Sequence, residues 1–376
     1  MSWQFIATRL NGDGTETPLA YDLPIQNPSV TVELSGPGGI TGTISPEIAY
    51  LQDEVGRPII EPWSTAIYAV NGGAIRAGGI IMSPLVISDN GSSFNIDAVG
   101  FSAYIEGMPW VGAEYSKIQE DPLNIARAMW DHAQSQQDGN IGLFLSDLTS
   151  PIRVGTEVKE TNFETGAGET VSFESGPYKL AEWLTTNLGD EFDKLAEGTP
   201  FDYIVEHSWD GSDASSIVHT MRLGYPKLGR RQHKLRFAVG ENVLESPNVE
   251  IGSDYASETL VLGAGEGRAR IRGRDNRRTG KLRRVAVIED SSIRAGREAK
   301  NRATQELKWR SGEPTFTEMV SVQNHPNARL GEYGPGDEIL LVSGPGYAED
   351  VSLWVRVISM TIDPATDEAD LTIMRA

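Results

Sequence analysis

Over residues 1–110, apolar and polar positions alternate in short runs broken by turn residues. Val30, Val32 and Leu34 alternate with Thr31 and Glu33, the two-residue period of a strand with one buried face. Trp3–Arg9 is a similar run, closed by the turn Asn11-Gly12-Asp13-Gly14. Ser64–Val70 and Ala74–Ile81 flank Asn71-Gly72-Gly73, a strong hairpin signal. Pro84–Ile87 and Phe94–Val99 flank Asp89-Asn90-Gly91 in the same way, and Gly36-Pro37-Gly38-Gly39 breaks the chain between strands. The pattern predicts a β meander.

The period then changes. Asp121-Pro122 is a helix start, with a carboxylate to cap the free N–H groups and proline at the first helical position. Ile125, Met129 and His132 follow at helical spacing, and Gly139 ends the segment. The polar stretch 150–173 reads as a loop or an extended hairpin. Ser175-Gly176-Pro177 predicts a second helix, with Tyr178, Ala181, Leu184 and Leu188 as its apolar stripe. Strands are predicted at Phe201–Glu206, Thr220–Leu223 and Leu235–Val239, then at Thr259–Leu262 and Arg283–Ile288. Ser291 is the expected cap of a helix over Ile293–Trp309, and four further strands run to Met374. The chain therefore reads as mainly β with an α/β region. Its expected parts are a first β domain at 1–112, an α/β domain at 113–245 and a second β domain at 246–376 with a helix near 291–310.

Composition agrees: 40 glycines and 20 prolines are more than a helical bundle carries and suit many turns. The chain has no cysteine, which excludes disulfides, thiolate metal sites and a cysteine nucleophile. The start, Met-Ser-Trp-Gln-Phe-Ile, lacks the basic and apolar regions of a secretory signal. No stretch approaches the roughly 18 uninterrupted apolar residues of a membrane span. Synthesis in the cytoplasm and no membrane-spanning segment are expected.

The net charge of −20 is unevenly spread. Residues 1–190 hold 8 basic against 24 acidic residues, and the remainder 25 against 29. Such acidity argues against general nucleic-acid binding. One segment runs the other way: Arg268, Arg270, Arg272, Arg274, Arg277, Arg278, Lys281, Arg283 and Arg284. Alternation puts the first four on one strand face. The segment reads as an exposed hairpin arm or as an electrostatic contact with an acidic neighbour, such as the acidic half of another copy. Direct DNA reading ranks third, since no aromatic residue is interleaved for base stacking.

Other chemical signals are weak. His132, His207, His219, His233 and His325 form no HExxH motif and no i,i+4 pair, so satisfied structural or surface roles outweigh a metal site. Neither GxSxG nor SxxK occurs. Gly263-Ala264-Gly265-Glu266-Gly267 follows an apolar run, but its spacing is not GxGxxG and an arginine-rich turn follows in place of a helix. A glycine-rich strand end or bulge is the better reading. No catalytic, cofactor-binding or metal-ligating residue is assigned.

Several stretches together resemble phage tail-tip hub proteins, the minor tail proteins of long-tailed phages such as those of actinobacteria, related to contractile-tail baseplate hubs. Trp63-Ser64 opens a strand into the Asn71-Gly72-Gly73 turn and Ile75-Arg76-Ala77-Gly78-Gly79-Ile80. Phe94 to Ile105, with Gly100 and Tyr104, is similar to the strand exit of that family's first barrel. Tyr178–Leu188, Ser257–Gly265, Gly334-Pro335-Gly336-Asp337-Glu338-Ile339 and Trp354-Val355-Arg356-Val357 follow in the family's order. The resemblance implies two tube-like β-barrels per chain with an α/β insertion, in a ring-forming hub. It further implies a homotrimer in the virion tail tip that closes the distal end of the tail tube. Implied partners are the tube-end protein, the tape-measure protein and receptor-binding or other minor tail proteins, with DNA passing transiently. No cofactor is implied. A tail-associated cell-wall hydrolase and a host-surface binding module are the alternatives. The first would need a compact catalytic constellation, and the second saturable binding to cells. Gly78 and Gly79, inside an apolar strand, predict a bulge or a close backbone approach.

Overall fold

The computed structural model describes residues 3–87, 91–157, 159–164, 170–211, 216–244, 255–265, 267, 270–290, 293, 295–311, 317–342 and 352–376. The first hundred residues form β1 (Trp3–Leu10), β2 (Glu16–Ala20), β3 (Gln26–Glu33), β4 (Gly39–Ile44), β5 (Thr65–Asn71), β6 (Ala74–Ile81), β7 (Val86–Ile87) and β8 (Phe94–Gly100). The β5–β6 turn is made by Gly72 at φ 60° and Gly73 at φ 79°, the left-handed pair that a two-residue hairpin needs. All pairings in the order β2-β1-β5-β6-β8-β4-β3 are antiparallel. Every residue of β5 is buried, because the strand is covered on both faces. Ile67 and Ala69 enter one core, and Ala66, Tyr68 and Val70 enter a second.

The middle of the chain builds the second core. Its elements are β9 (Tyr115–Lys117), β10 (Leu143–Leu145), β11 (Lys159–Glu164), β12 (Thr170–Ser175), β13 (Tyr178–Leu180), β14 (Asp202–Trp209) and β15 (Ile217–Gly224), with helices Pro122–Gln134 and Leu188–Gly198. Asp121 caps the first helix through Leu123 N at 3.0 Å and also accepts from Ser150 N at 2.7 Å, tying the helix start to a distant loop. Leu123, Ile125, Met129 and Trp130 of that helix pack with Tyr68, Ile80, Met221 and Leu223. In the polar stretch expected as a loop or an extended hairpin, Lys159–Glu164 pairs antiparallel with Thr170–Ser175. The helix expected from Tyr178 is absent. Tyr178–Leu180 pairs with Tyr115–Lys117, and the helix begins ten residues later, where Asn187 accepts from Gly189 N at 3.0 Å. The apolar spacing from Tyr178 to Leu188 fits a helix, but strand pairing across some sixty residues of chain prevails.

The rest of the chain contains β16 (Phe237–Ala238), β17 (Glu258–Leu262), β18 (Arg272–Asn276), β19 (Val285–Glu289), helix Gly296–Arg310, β20 (Thr317–Gln323), β21 (Glu338–Val342), β22 (Ser352–Asp363) and β23 (Glu368–Arg375). The last helix starts at Gly296 with Ala295 as its cap position, and Ser291 lies outside the described residues. Twelve-residue β22 joins the two ends of the chain. On one side Ser352–Arg356 pairs with β21 and Ser359–Ile362 with β3; on the other it pairs with β23. A bulge between Val357 and Ser359 bends the strand where the partners change. One sheet of thirteen strands results, and its first core holds residues from both ends of the chain, Phe5 to Ile373. Among the described residues this sheet is an open path from β16 to β2 and closes no circuit.

Gly79 belongs to the close-approach class. It pairs with Ile67 and Gly100, and a Cβ there would lie 2.2 Å from Ala98 O. A Cβ on Gly78 would meet the Tyr68 ring at 2.6 Å and His207 Nε2 at 2.8 Å. The register shift of the β5–β6 hairpin falls at Ala69/Val70 and not at the glycines. Gly79→Val is expected to destabilise the fold by at least about 1–3 kcal/mol, the usual cost of overpacking. Gly73→Ala, with no atom within 4 Å, carries only the left-handed backbone strain of about 1–2 kcal/mol. Thermal unfolding of both variants checks this, and a Gly79→Val protein melting at the wild-type temperature would refute it.

Candidate assembly surface

The arginine-rich segment belongs to a two-layer unit. β17 is central, antiparallel to β18 and parallel to β19, and helix Gly296–Arg310 covers one face. Thr259, Val261, Ile271 and Gly273 turn toward the helix. Thr259 Oγ1 donates to Ala303 O at 2.6 Å, and a Cβ on Gly273 would lie 2.0 Å from Ala299 O, so the helix sits directly on the strand backbone. The opposite face carries Arg272 and Arg274 across from Leu262 and Leu260, with Val285, Val287 and Glu289 on the far strand. Val287 is 55% exposed, and Leu282, in the loop joining β18 to β19, is 90% exposed.

The expected alternation of arginines on one face is present from Arg270 to Arg274, and Arg268 lies outside the described residues. Arg270 donates to Gly263 O at 3.1 Å and pairs with Glu289 at 3.1 Å. Glu258, 6% exposed, receives Arg274 at 2.5 Å and Arg283 at 2.9 Å. Hydrogen bonds from those two guanidinium groups hold its carboxyl below the usual carboxylate range. Lys281 lies over the Tyr255 ring at 5.3 Å, and Arg277, Arg278 and Arg284 are exposed in the loop. The arginines near Glu258 thus hold the loop to the sheet, while Arg277 and Arg278 are exposed in the loop with Leu282. The Gly263 region is a strand end: Gly263 N donates to Ile271 O and Ala264 N to Ile293 O, both at 2.8 Å.

A second cluster escaped the sequence reading. His207 and His219 are cross-strand partners on β14 and β15, with their Nδ1 atoms 2.8 Å apart. His219 Nε2 lies 2.8 Å from Glu16 Oε1, which also accepts from Tyr68 OH at 2.5 Å. An Nδ1–Nδ1 contact holds one proton, so the pair carries at most one imidazolium charge. Burial, then the neighbouring His219, pushes the His207 pKa well below its ordinary value. The network bridges β2 and β5 to the β14–β15 hairpin, joining the first sheet to the middle region. His132 is separate: its ring stacks on Trp110 at 3.8 Å and its Nε2 accepts from Val111 N at 3.1 Å. Among the described residues no group of three or more His, Cys, Asp or Glu side chains is arranged to hold a metal ion. No helix among them is long and apolar enough to cross a membrane.

No protein-family model matches the sequence, and neither does any curated protein. Solved structures do match, over nearly the whole chain. The 43 kDa tail protein of prophage MuSo2 from Shewanella oneidensis is similar with a TM-score of 0.59 at 12% identity, over 99% of this chain and 98% of that one. The tail protein from Neisseria meningitidis MC58 gives a TM-score of 0.54 at 12% identity, covering 99% and 97%. Prophage tail protein gp18 from Listeria monocytogenes EGD-e gives 0.54 at 10% identity, covering 99% and 94%. At these identities the likeness is one of fold, and the fold is that of phage tail proteins.

The histidine network sets an expected pH response. His207 is neutral in the folded chain and takes up a proton on unfolding below about pH 6.5. The unfolded state then binds more protons, so stability falls as pH drops from 7 toward 5, by up to about 1.4 kcal/mol per unit for this group. His207→Gln should flatten that part of the stability curve. Chemical denaturation at pH 7, 6 and 5 checks this, and parallel wild-type and variant curves would exclude the role.

Proposed function

We propose that the chain is a structural hub subunit of a long-tailed phage, at the distal end of the tail tube. The carrying observation is the end-to-end match to phage tail proteins, in which each chain covers more than nine-tenths of the other. The sheet geometry supports the reading. Its first and last regions are joined through β22 in one sheet, and β2 stands at one end of the path of paired strands. Such an edge calls for a neighbour.

In this reading three chains form a ring, each contributing two tube-like lobes, so that six lobes meet the six-fold tube. The tube-end protein docks above, receptor-binding and other minor tail proteins attach below, and the lumen takes the end of the tape-measure protein before DNA passes. The chain is made in the host cytoplasm and ends in the virion tail tip. It performs no catalysis, so purified chain should leave peptidoglycan intact in a zymogram, and clear lysis would favour a hydrolase. Cryo-microscopy of particles containing the chain should show three copies around a channel at the tail tip. Six copies in one ring, or a single copy, would overturn the hub assignment.

A further inference from the structure

Two surfaces of the chain hold apolar side chains in water beside exposed charges of opposite sign. The first is the bare face and end loop of the β17–β19 sheet. Leu282, Val285 and Val287 are exposed there among Arg277, Arg278 and Lys281. Of the nine cations in segment 268–284, Arg270, Arg274 and Arg283 pair with Glu289 and Glu258, while Arg277, Arg278 and Lys281 stand exposed in the loop of a chain with net charge −20.

The second lies on the middle region, where the segment before helix Leu188–Gly198 runs beside residues 106–111. Leu188 N donates to Met108 O at 2.7 Å, Trp110 N to Thr185 O at 2.9 Å and Gly107 N to Asn187 Oδ1 at 2.8 Å. These bonds gather Trp183, 70% exposed, Leu184, 58% exposed, and Val111, 45% exposed, at one edge. Around them are the exposed carboxylates Glu106, Glu182, Asp190 and Asp193. Partial burial, then the charges of Asp193 and Asp190, raise the Glu106 pKa, a sign of repulsion left unrelieved within the chain.

We propose that the arginine face of one copy docks on the Trp183–Asp190 surface of the next. The inference rests on the ring reading above and names its contact. Charge and apolarity match on both sides: a loop presenting Leu282 between guanidinium groups meets exposed Trp183 and Leu184 between carboxylates. The two patches are different parts of one molecule, so the contact is head-to-tail and is satisfied at every copy only when a ring closes. Exposed apolar side chains among the arginines favour a protein over a nucleic acid, whose backbone offers them nothing to cover.

Sedimentation of the full chain at low salt is the test. Wild type is expected to self-associate below roughly 100 µM, and less so as salt screens the contact. Arg277→Glu with Arg278→Glu should weaken association by at least about tenfold, and Glu182→Lys with Asp190→Lys should do the same. All four sites are exposed, and unchanged melting temperatures would show that the fold is intact. The chain carrying all four reversals should recover most of the association. A wild type that stays monomeric, pair variants that sediment as wild type, or a fourfold variant no better than its parents would each overturn the contact. Binding of duplex DNA through Arg277 and Arg278 without self-association would overturn it in favour of a nucleic-acid surface. In tail particles, a three-copy ring with the arginine loop clear of its neighbour sinks this contact alone, whereas no ring sinks the hub reading beneath it.

Discussion

Everything in this chain depends on the pairing of β22 with three partners at once. An ordinary strand has two edges and two neighbours. β22 is long enough, and sharply enough bent at Val357/Ser359, to hold β21 and β3 in series along one edge with β23 on the other. That arrangement lets residues 330 positions apart share a hydrogen bond, Thr31 Oγ1 to Thr361 Oγ1 at 3.0 Å. It also merges the apolar faces of the two ends into one core, with Val30, Ile40 and Ile96 beside Val355, Ile362 and Leu371. The first and last β regions therefore cannot hinge about a linker; relative motion would tear a ladder and open the core.

The middle region is held by a different means. It packs on the outer face of β5 and β6, and at the heart of that contact the backbone itself is bare, at Gly78. Glycine lets Tyr68 and His207 approach the strand, and the approach lets His219 reach Glu16 on β2. A polar network inside an apolar contact favours one relative orientation over sliding alternatives, because any shift strands a buried donor or acceptor. Shape complementarity and hydrogen-bond geometry thus specify the same docking.

Local signals were legible wherever the chain fixes its own conformation. Asn71-Gly72-Gly73 dictates its turn, and Asp121-Pro122 dictates a helix start. Leu188–Gly198 was misplaced because Tyr178, Ala181, Leu184 and Leu188 satisfy a helical period by coincidence, while the deciding partner, Tyr115–Lys117, is remote. The stronger local cue was Asn187 followed by acidic residues in the first turn. The His207–His219 contact was within reach of the sequence: the predicted strands end at Glu206 and resume at Thr220, and one more pair in that antiparallel register sets the two histidines opposite each other. Nothing local announces that β3 meets β22, or that Arg274 and Arg283 converge on Glu258, since both depend on the closed fold. The single-face alternation of the arginines was legible, because it follows from strand geometry alone.

The span between β3 and β22 also has a consequence in time. At about 5–20 residues per second, some 15–65 s separate the emergence of Val30 from the arrival of Ile362 at the ribosome exit. Through that interval the outer edge of β3 has no native partner, although β4 can already pair with its other side. An open edge of alternating Val and Thr is a template for the wrong strand. The chain limits the exposure at one end: Pro28 lies in the part of β3 that β22 never covers, where it removes a donor and ends the usable ladder. Only the four residues from Val30 to Glu33 then wait for their partner, so the nascent chain offers a short foothold to its neighbours on the same polysome.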